Sequence, residues 1–325
     1  MKGTNRSGKN ERKEQAVTRP LCSVVMATYN RGHLLRRSLE GYERHDFDNR
    51  ELELVVVDDG STDDTQFFLR EWSRRTKVRT VVLTPHPKDR SWRDCGAVLN
   101  YGIRMSSGEH VLITHPEVIP GRKSVSACVS RLGEYEDYLK ESLKPRGGSY
   151  SPVGVYACCR VYYLSQKDQE RIETVPWRTE GNLAVRQIVG FYTDDVNGHP
   201  DFRHEMTDII AKPNSRIPSW ESWVFGGFSR KAWSRLGGML ETQEWGSVDV
   251  AFMHRRKVLG IPNSTQEDDE TIVIHQNHDD PSVNVPTPRV ESVWRRELLG
   301  MKDVLDDPKA LLHPAVDNLG WYPAL

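Results

Sequence analysis

The sequence predicts an α/β protein built on a mostly parallel sheet that is flanked by helices. Strand and helix signals alternate along residues 20–123, which is the pattern of parallel strands joined by crossover helices. Two apolar runs, at residues 22–26 and 52–57, each stop at a group of polar residues. With 325 residues the chain can bury the core of one large or two modest domains, and we expect a single large domain.

The first half of the chain is predicted to contain four strands and three helices in alternation. The strands are expected at residues 22–26, 52–57, 78–83 and 110–114. Apolar residues at three- and four-residue spacing indicate the first helix, namely Leu34, Leu35, Leu39 and Tyr42. The third helix is indicated by Val98, Leu99 and Ile103, and we expect it to end at Gly108 with a left-handed cap.

The second helix is predicted from a capping pattern. Ser61 is followed three residues later by Asp64, which is the spacing of a capping box. We therefore expect Ser61 to cap this helix and Phe67, Phe68 and Trp72 to form its buried stripe.

Beyond residue 123 the periodicity is weaker. We expect helices at 124–138, 230–236 and 249–259, strands at 153–163 and 271–275, and a Pro/Gly loop at 144–149. Residues 168–219 combine weak periodicity with many charges and prolines, which is typical of lids and binding loops. We divide the chain into a disordered basic tail (1–19), a first half (20–123), a second half (124–285) and a C-terminal helical extension (286–325).

Composition narrows the class of partner. The chain has 45 basic and 46 acidic side chains, so its net charge favours neither nucleic acid nor an anionic membrane. The basic tail lacks the apolar core of a signal peptide. The sequence also contains no run of about 18 apolar residues, the length needed to span a membrane. We expect a soluble, cytoplasmic protein. Its five scattered cysteines contain no CxxC pair and are expected to be reduced thiols.

Polar residues follow both of the first two predicted strands. Residues 27–30 read Ala-Thr-Tyr-Asn, and residues 58–62 read Asp-Asp-Gly-Ser-Thr. In an open parallel sheet, ligands bind beyond the carboxyl ends of the strands. A carboxylate there can accept a hydrogen bond from a base N–H or a ribose hydroxyl, which predicts a nucleotide site. The alternative is that residues 58–61 are only a turn that leads into a capped helix.

Residues 27–31 and 57–63, together with residues 92–100, resemble the signature of family 2 glycosyltransferases. The resemblance implies the GT-A fold, a Rossmann-like sheet with irregular acceptor-side loops, in which residues 20–123 bind the nucleotide sugar. It implies that Asp59 contacts uracil or an equivalent base, Asp58 the nucleoside, and Arg93 the base or the phosphates, unless Arg93 is only a solvated residue at a helix start. The implied donor-binding residues are Ala27, Thr28, Tyr29, Asn30, Asp58, Asp59, Arg93 and Asp94, with a UDP-sugar favoured.

The resemblance also implies a metal site, although this chain departs from the family there. Family members carry an Asp-x-Asp motif after the fourth strand, whereas residues 114–120 here read Thr-His-Pro-Glu-Val-Ile-Pro. Glu117 can supply the oxygen ligand that Mg²⁺ or Mn²⁺ prefers, and His115 would favour Mn²⁺. A late histidine, His275 or alternatively His278, is the implied third ligand. Two alternatives stay open: Glu117 as the only remaining ligand, or a site that works without metal.

Residues 223–230 and 244–255 resemble the acceptor side of the family. Asp249 is the implied catalytic base for an inverting transfer, although Val248 replaces the usual preceding Glu; the alternative is a residue that only stabilises a helix N-terminus. The implied acceptor-binding residues are Trp223, Gly226, Gly227 and Trp245, and Trp220 and Trp233 could also stack on sugar rings or belong to the core.

Three functional hypotheses follow. The first is a nucleotide-sugar glycosyltransferase whose second half, 124–285, binds the acceptor and performs the chemistry. The second is a degenerate GT-A domain that binds a nucleotide or a partner without turnover, and the third, a nucleotidyltransferase, is disfavoured because no Gly-rich, Lys-bearing loop follows the first strand. The acceptor is expected to be a hydroxyl of a glycan or small molecule. A modified DNA base would require a basic groove formed by Lys144, Arg146, Arg160, Arg171 and Arg178.

Overall fold

The computed structural model describes residues 19–85, 95–142, 154–164, 166–187, 224–239, 241, 248, 252, 255–256, 259, 261–266 and 268–278. The strands are β1 Cys22–Thr28, β2 Leu52–Asp58, β3 Arg79–Leu83, β4 His110–Thr114, β5 Val118–Ile119, β6 Tyr156–Cys159, β7 Val161–Tyr163, β8 Phe225–Ser229, β9 Asn263–Gln266 and β10 Val273–His275. The α-helices are α1 Gly32–Tyr42, α2 Thr65–Arg75, α3 Cys95–Met105, α4 Ser124–Ser142, α5 Gln166–Arg171, α6 Trp177–Glu180 and α7 Arg230–Leu236. Two 3₁₀ helices span Ile172–Thr174 and Asn182–Gln187.

Seven of these strands form one mostly parallel sheet in the order β3-β2-β1-β4-β8-β6-β9. Only β8 runs against its neighbours, β4 and β6. A second sheet has the order β5-β10-β7, with β10 antiparallel to β5 and parallel to β7. The predicted α/β class is confirmed, and strands from both predicted halves of the chain share the large sheet.

Both faces of the large sheet are covered by helices. In β1 and β2 every residue is buried, as expected for central strands of a parallel sheet. Alternate side chains point to opposite faces: Val24 and Val56 pack with α1, α2 and α4, whereas Val25 and Val55 pack with α3 and α7. The continuous apolar runs in the sequence therefore reflect burial on two sides.

The start and the buried face of α2 differ from the prediction. The helix begins at Thr65, and Ser61 does not cap it. Phe67 is 53% exposed, because the helix turns Thr65, Leu69 and Trp72 toward the sheet and these positions share one helical face. The predicted stripe is thus correct for Trp72 and wrong for Phe67.

Gly108 is not a left-handed helix cap. α3 ends at Met105, and Gly108 does not have a positive φ. A Cβ atom at residue 108 would lie 2.4 Å from the Ser23 backbone nitrogen. The glycine is explained by this close approach to β1, and its N–H donates to Ser23 Oγ at 2.7 Å.

The predicted strand at 153–163 is two strands that belong to different sheets, β6 in the large sheet and β7 in the small one. Arg160 lies between them, and its N–H donates to the Gln266 carbonyl. α4 continues four residues past the predicted end at 138, and the strand expected from 271 starts at Val273.

The segment after β7 covers the small sheet. Its two 3₁₀ helices and α6 form a separate apolar cluster with the sheet, and Trp177 of α6 is fully buried in it. The Arg44 and Arg178 guanidinium groups lie 4.9 and 4.3 Å from the Trp177 ring centroid, which is cation–π geometry. This part of residues 168–219 is therefore packed structure.

Several predictions fall outside the described residues. They include most of the basic tail, the loop at 144–149, the helical extension at 286–325 and the side chains of Arg93, Asp94, Trp220, Trp223, Trp245 and Asp249. The five cysteines all lie in the described part, as thiols rather than disulfides. Among the described helices, none has both the length and the apolar character needed to cross a membrane.

Glu53 is a buried carboxylate in β2, and we expect it to make stability depend on pH. Burial alone would raise its pKa, but hydrogen bonds from Ser23 and Ser107 and the charge of Arg79 outweigh burial and lower it. A lowered folded-state pKa contributes stability above the ordinary glutamate pKa of about 4.3, and that stability is lost as the pH falls through the folded pKa.

Glu53→Gln should therefore lower the free energy of unfolding at pH 7 by about 1.5–3 kcal/mol, the range for hydrogen bonds to a charged group. Urea unfolding at pH 7, 5 and 3.5 should show the difference from wild type shrinking at the lowest pH. Glu51→Gln, at an exposed neighbouring position, is the control and should have little effect. A difference for Glu53→Gln that stays constant with pH would contradict the expectation.

Candidate functional site

The two polar strand ends lie side by side at one edge of the large sheet. β1 and β2 are parallel, and Thr28 pairs with Asp58 in register. Asp58 is fully buried. Its Oδ1 accepts from the Ser61 N–H and its Oδ2 from Gln66 Nε2, both at 2.9 Å. Asp58 thus shapes the turn after β2, and its role as a nucleoside contact stays a prediction.

Asn30 joins the two segments. Its N–H donates to Ser61 Oγ at 2.9 Å, and its Oδ1 accepts from the Thr62 N–H at 2.7 Å. Asn30 has a φ of 49°, a left-handed conformation that asparagine tolerates better than most residues. Ser61 therefore serves this junction, which explains why it does not cap α2.

Two further side chains from the second segment hold the start of α1. Asp63 Oδ2 accepts from the Gly32 N–H at 3.0 Å, and Thr65 Oγ1 accepts from the Arg31 N–H at 3.2 Å. We call Asn30, Ser61, Asp63 and Thr65 the clasp. Sequence reasoning missed the roles of Asp63 and Thr65, because a side chain that caps a helix from a distant segment leaves no local spacing pattern.

The clasp leaves few side chains of the two segments open to a ligand. Ala27 and Thr28 belong to β1 and are buried, at 7% and 3% exposure. Tyr29 is 56% exposed. Asp59 is partly exposed, and its N–H donates to the Thr28 carbonyl at 2.9 Å. Of the predicted donor-binding residues in the described part, Tyr29 is exposed and Asn30 and Asp59 are partly exposed, with the Asn30 Oδ1 already accepting a hydrogen bond within the clasp.

A cluster of three possible metal ligands lies between β4 and the end of β10. Because β5 and β10 are antiparallel, with Val118 opposite His275, Glu117 lies next to the late histidines. Glu117 Oε1 lies 3.8 Å from His275 Nε2 and 3.6 Å from His278 Nε2. The ligand atoms of the three residues all lie within 4.8 Å of one another. The predicted choice between His275 and His278 is thus not needed, because the structure brings both to Glu117.

His115 is not a member of this group of three. It remains close enough to act on Glu117 electrostatically. Burial alone would raise the pKa of the Glu117 carboxyl, but the charges of His115, His278 and His275, and then of Arg31, lower it to about 2. Glu117 is therefore a carboxylate at neutral pH and needs no deprotonation to bind a cation.

The donor set fits a divalent transition metal. One carboxylate and two imidazoles suit Mn²⁺ better than Mg²⁺, which prefers oxygen ligands and near-octahedral geometry. All three side chains are mostly shielded from solvent, with exposures of 13%, 10% and 12% for Glu117, His275 and His278. Such a set could hold an ion while leaving coordination positions for a ligand.

Electrostatic contacts connect the metal cluster to the clasp. Arg31, whose N–H donates to Thr65, contributes to lowering the pKa of Glu117. The pKa of His33 at the start of α1 is lowered by burial and then by the charges of Arg31, Arg37 and His278. The clasp and the three possible ligands therefore lie at the same edge of the protein.

Gly226 and Gly227, predicted to bind an acceptor, are instead buried in β8 between β4 and β6. A Cβ at Gly227 would lie 1.9 Å from the Val111 carbonyl oxygen, and one at Gly226 would lie 2.7 Å from the Ala157 carbonyl oxygen. Both positions require glycine because a larger residue would overlap the neighbouring strand. The prediction that these glycines contact an acceptor is therefore corrected.

Trp233 also belongs to the core. Its Nε1 donates to the Val111 carbonyl at 2.9 Å, and its ring stacks on Phe252 with centroids 5.0 Å apart. It therefore has no free face for a sugar ring. The other predicted acceptor tryptophans lie outside the described residues.

Parts of the chain are similar to known proteins. Residues 23–139 match the sequence profile of glycosyl transferase family 2. Validoxylamine A glucosyltransferase of Streptomyces hygroscopicus subsp. jinggangensis is 25% identical over 258 residues, which cover 75% of this chain and 53% of that protein. Poly(ribitol-phosphate) beta-N-acetylglucosaminyltransferase TarS of Staphylococcus aureus is 24% identical over 135 residues, which cover 41% of this chain and 23% of that protein.

A crystal structure of S. aureus TarS has a TM-score of 0.50 with this chain at 13% sequence identity, covering 87% of this chain and 43% of that one. This likeness concerns the fold. The chain spans about half the length of the first two curated relatives it matches, at 53% and 49%.

Proposed function

Because residues 23–139 match the profile of glycosyl transferase family 2, we propose that this chain transfers a sugar from a nucleotide-diphosphate sugar to an acceptor hydroxyl. A UDP-sugar is the favoured donor. The observation that carries the proposal is the position of the Glu117–His275–His278 cluster beside the clasp, at the carboxyl edge of β1 and β2. Ligands of open α/β sheets bind at this edge.

In this proposal the donor is bound by the exposed parts of the two signature segments. Asp59 accepts from the base, Tyr29 packs against the nucleotide, and Arg93 and Asp94 are assigned by their match to the family. Asp58 contributes mainly by holding the turn, since both of its oxygens already accept hydrogen bonds from the protein. The clasp limits the loss of conformational entropy on binding, because the loop is already ordered.

Glu117, His275 and His278 are assigned to the metal. A divalent ion bound there would neutralise charge on the diphosphate leaving group. The chain's own contribution is a carboxylate that stays ionised at neutral pH, with one imidazole at the end of the opposing strand and a second three residues beyond it. We expect Mn²⁺ to bind more tightly than Mg²⁺.

Asp249 is assigned as the general base. It would take the proton of the acceptor hydroxyl while that oxygen attacks the anomeric carbon, and the bond from that carbon to the diphosphate oxygen would break on the opposite face, with inversion. The adjacent Val248 and the nearby Phe252 are helical and buried, at 3% and 1% exposure. Trp223 and Trp245 remain candidates for contact with the acceptor.

A glycan or small-molecule hydroxyl is the proposed acceptor. Of the basic residues that a DNA-base acceptor would require, Lys144 and Arg146 lie outside the described residues, and Arg178 forms ion pairs with two carboxylates, those of Glu40 and Glu173.

The test is a thermal-shift panel of nucleotide sugars with and without Mn²⁺, followed by donor cleavage and transfer assays. Ligand binding to the folded state raises the melting temperature. Asp249→Asn should keep nucleotide binding and lower transfer by about 10²–10⁴-fold, the usual contribution of a general base. Glu71→Gln, an exposed change on α2, should leave both unchanged. If wild type binds a nucleoside diphosphate but cleaves no sugar donor, the enzyme hypothesis is wrong and the hypothesis of a degenerate binding domain is favoured.

A further inference from the structure

Gln276 lies between the two candidate metal-binding histidines and is completely buried. It follows the last residue of β10, where the chain leaves the sheet. A segment that leaves a strand end would ordinarily sample several conformations, and each of them would move His275 and His278 relative to Glu117. What holds this segment therefore affects the metal cluster.

Gln276 makes hydrogen bonds in several directions. Its backbone N–H donates to the Glu117 carbonyl at 2.9 Å, and its Nε2 donates to the Leu34 carbonyl at 3.0 Å. Its Oε1 accepts from Arg37 at 3.2 Å and from Gln169 at 3.4 Å. One side chain thus connects the histidine segment to α1 and to α5, while its backbone connects it to the third ligand residue.

We propose that Gln276 is a positioning residue for the divalent-metal site formed by Glu117, His275 and His278. The inference rests on the proposed function of those three residues. A buried residue that holds two ligands at a fixed separation lowers the entropy lost when they converge on an ion. Residues that orient metal ligands typically change metal affinity 10–100-fold when mutated.

The chemistry of the position favours glutamine over a similar residue. Glutamate would place a carboxylate oxygen against the Leu34 carbonyl oxygen, where Nε2 now donates. Leucine would leave the Leu34 carbonyl and the Arg37 guanidinium without their present partner. The charge of Arg37 is balanced by Glu173 at 2.7 Å, so the neutral amide accepts from Arg37 without adding a second carboxylate beside the ligands.

Asn182 provides a matched control at the other end of the same small sheet. It is a buried amide at 3% exposure, and its Nδ2 donates to the Ile119 and Ile272 carbonyls at 3.0 and 2.9 Å. Asn182 therefore joins β5 to the start of β10, whereas Gln276 secures the end of β10. Asn182 lies at the opposite end of these strands from the two histidines. Asn182→Leu should cost comparable stability with little effect on metal binding.

The experiment measures Mn²⁺ dissociation constants by electron paramagnetic resonance of free Mn²⁺, with no donor or acceptor present. Melting temperatures in EDTA monitor folding. We expect Gln276→Leu to weaken Mn²⁺ binding about 10–100-fold and Gln276→Glu to weaken it about tenfold, with Asn182→Leu within about twofold of wild type. If Gln276→Leu does not fold, Gln276→Glu decides the question.

Wild-type Mn²⁺ affinity in a folded Gln276 variant would overturn this inference and leave the proposed metal site intact. Equal weakening by Asn182→Leu would also overturn it, since the effect would then be one of general stability. If wild type binds no Mn²⁺, the metal part of the proposed function and the role of Gln276 are both wrong.

Discussion

Glu117→Gln should abolish measurable Mn²⁺ binding and lower sugar transfer at least about 100-fold, because it removes the only carboxylate of the candidate metal cluster. The glutamine side chain has nearly the same shape but no charge. Glu117 has a pKa of about 2, so wild type offers an ionised ligand across the whole neutral range. The variant would retain His275 and His278, which without a charged oxygen ligand should hold Mn²⁺ weakly.

Mn²⁺ titration and steady-state transfer rates would measure this effect. Glu270→Gln is the matched control, since Glu270 is a partly exposed carboxylate that precedes β10 and forms ion pairs with Arg122 and Lys123. It should change neither quantity appreciably, because exposed ion pairs contribute little. If Mn²⁺ affinity survived Glu117→Gln, the ion would bind elsewhere in the protein and Glu117 would not be one of its ligands.

Gly227→Ala is expected to produce the largest loss of stability. A Cβ at this position would lie 1.9 Å from the Val111 carbonyl oxygen and 2.7 Å from the Leu112 Cα. Both are backbone atoms of β4, a central strand paired with β8 along five residues, so neither can move without disturbing the sheet. We expect a loss of more than about 3 kcal/mol, beyond the usual cost of overpacking, or no soluble folded protein.

Gly133→Ala is the matched control. Gly133 lies within α4, and a Cβ there would meet no atom within 4 Å. Alanine should stabilise the protein by roughly 0.5–1 kcal/mol, because glycine is disfavoured inside a helix. Urea unfolding of both variants would measure the contrast. Near-wild-type stability of Gly227→Ala would contradict the pairing of β8 with β4.

The order of the elements around the first four strands could be predicted from the sequence, since it depends on local signals. Apolar runs of strand length and helical spacing are properties of neighbouring residues. The meeting of the two polar strand ends that form the candidate site also followed, because parallel strands joined by crossover helices bring the ends of β1 and β2 to one edge. The family resemblance, confirmed over residues 23–139, depends on the same two strand ends.

Predictions that depended on long-range contacts were less successful. The family resemblance assigns Gly226 and Gly227 to acceptor binding, but the antiparallel insertion of β8 buries them. Phe67 looks like a core residue, but the direction of α2 exposes it. Ser61 has the spacing of a cap, but Asn30 from the other segment is its partner.

The sequence by itself determined the α/β class, predicted the carboxyl edge as the candidate site, and through its family resemblance implied Glu117 with a late histidine as possible metal ligands. Only the tertiary structure decided that both His275 and His278 join Glu117, that the clasp orders the loops, and that Gln276 holds the histidine segment. The physical reason is that these contacts arise from the antiparallel pairing of β5 with β10 and from side chains that meet across separate segments. Such pairings are set by packing of the whole domain, which no short stretch of residues encodes.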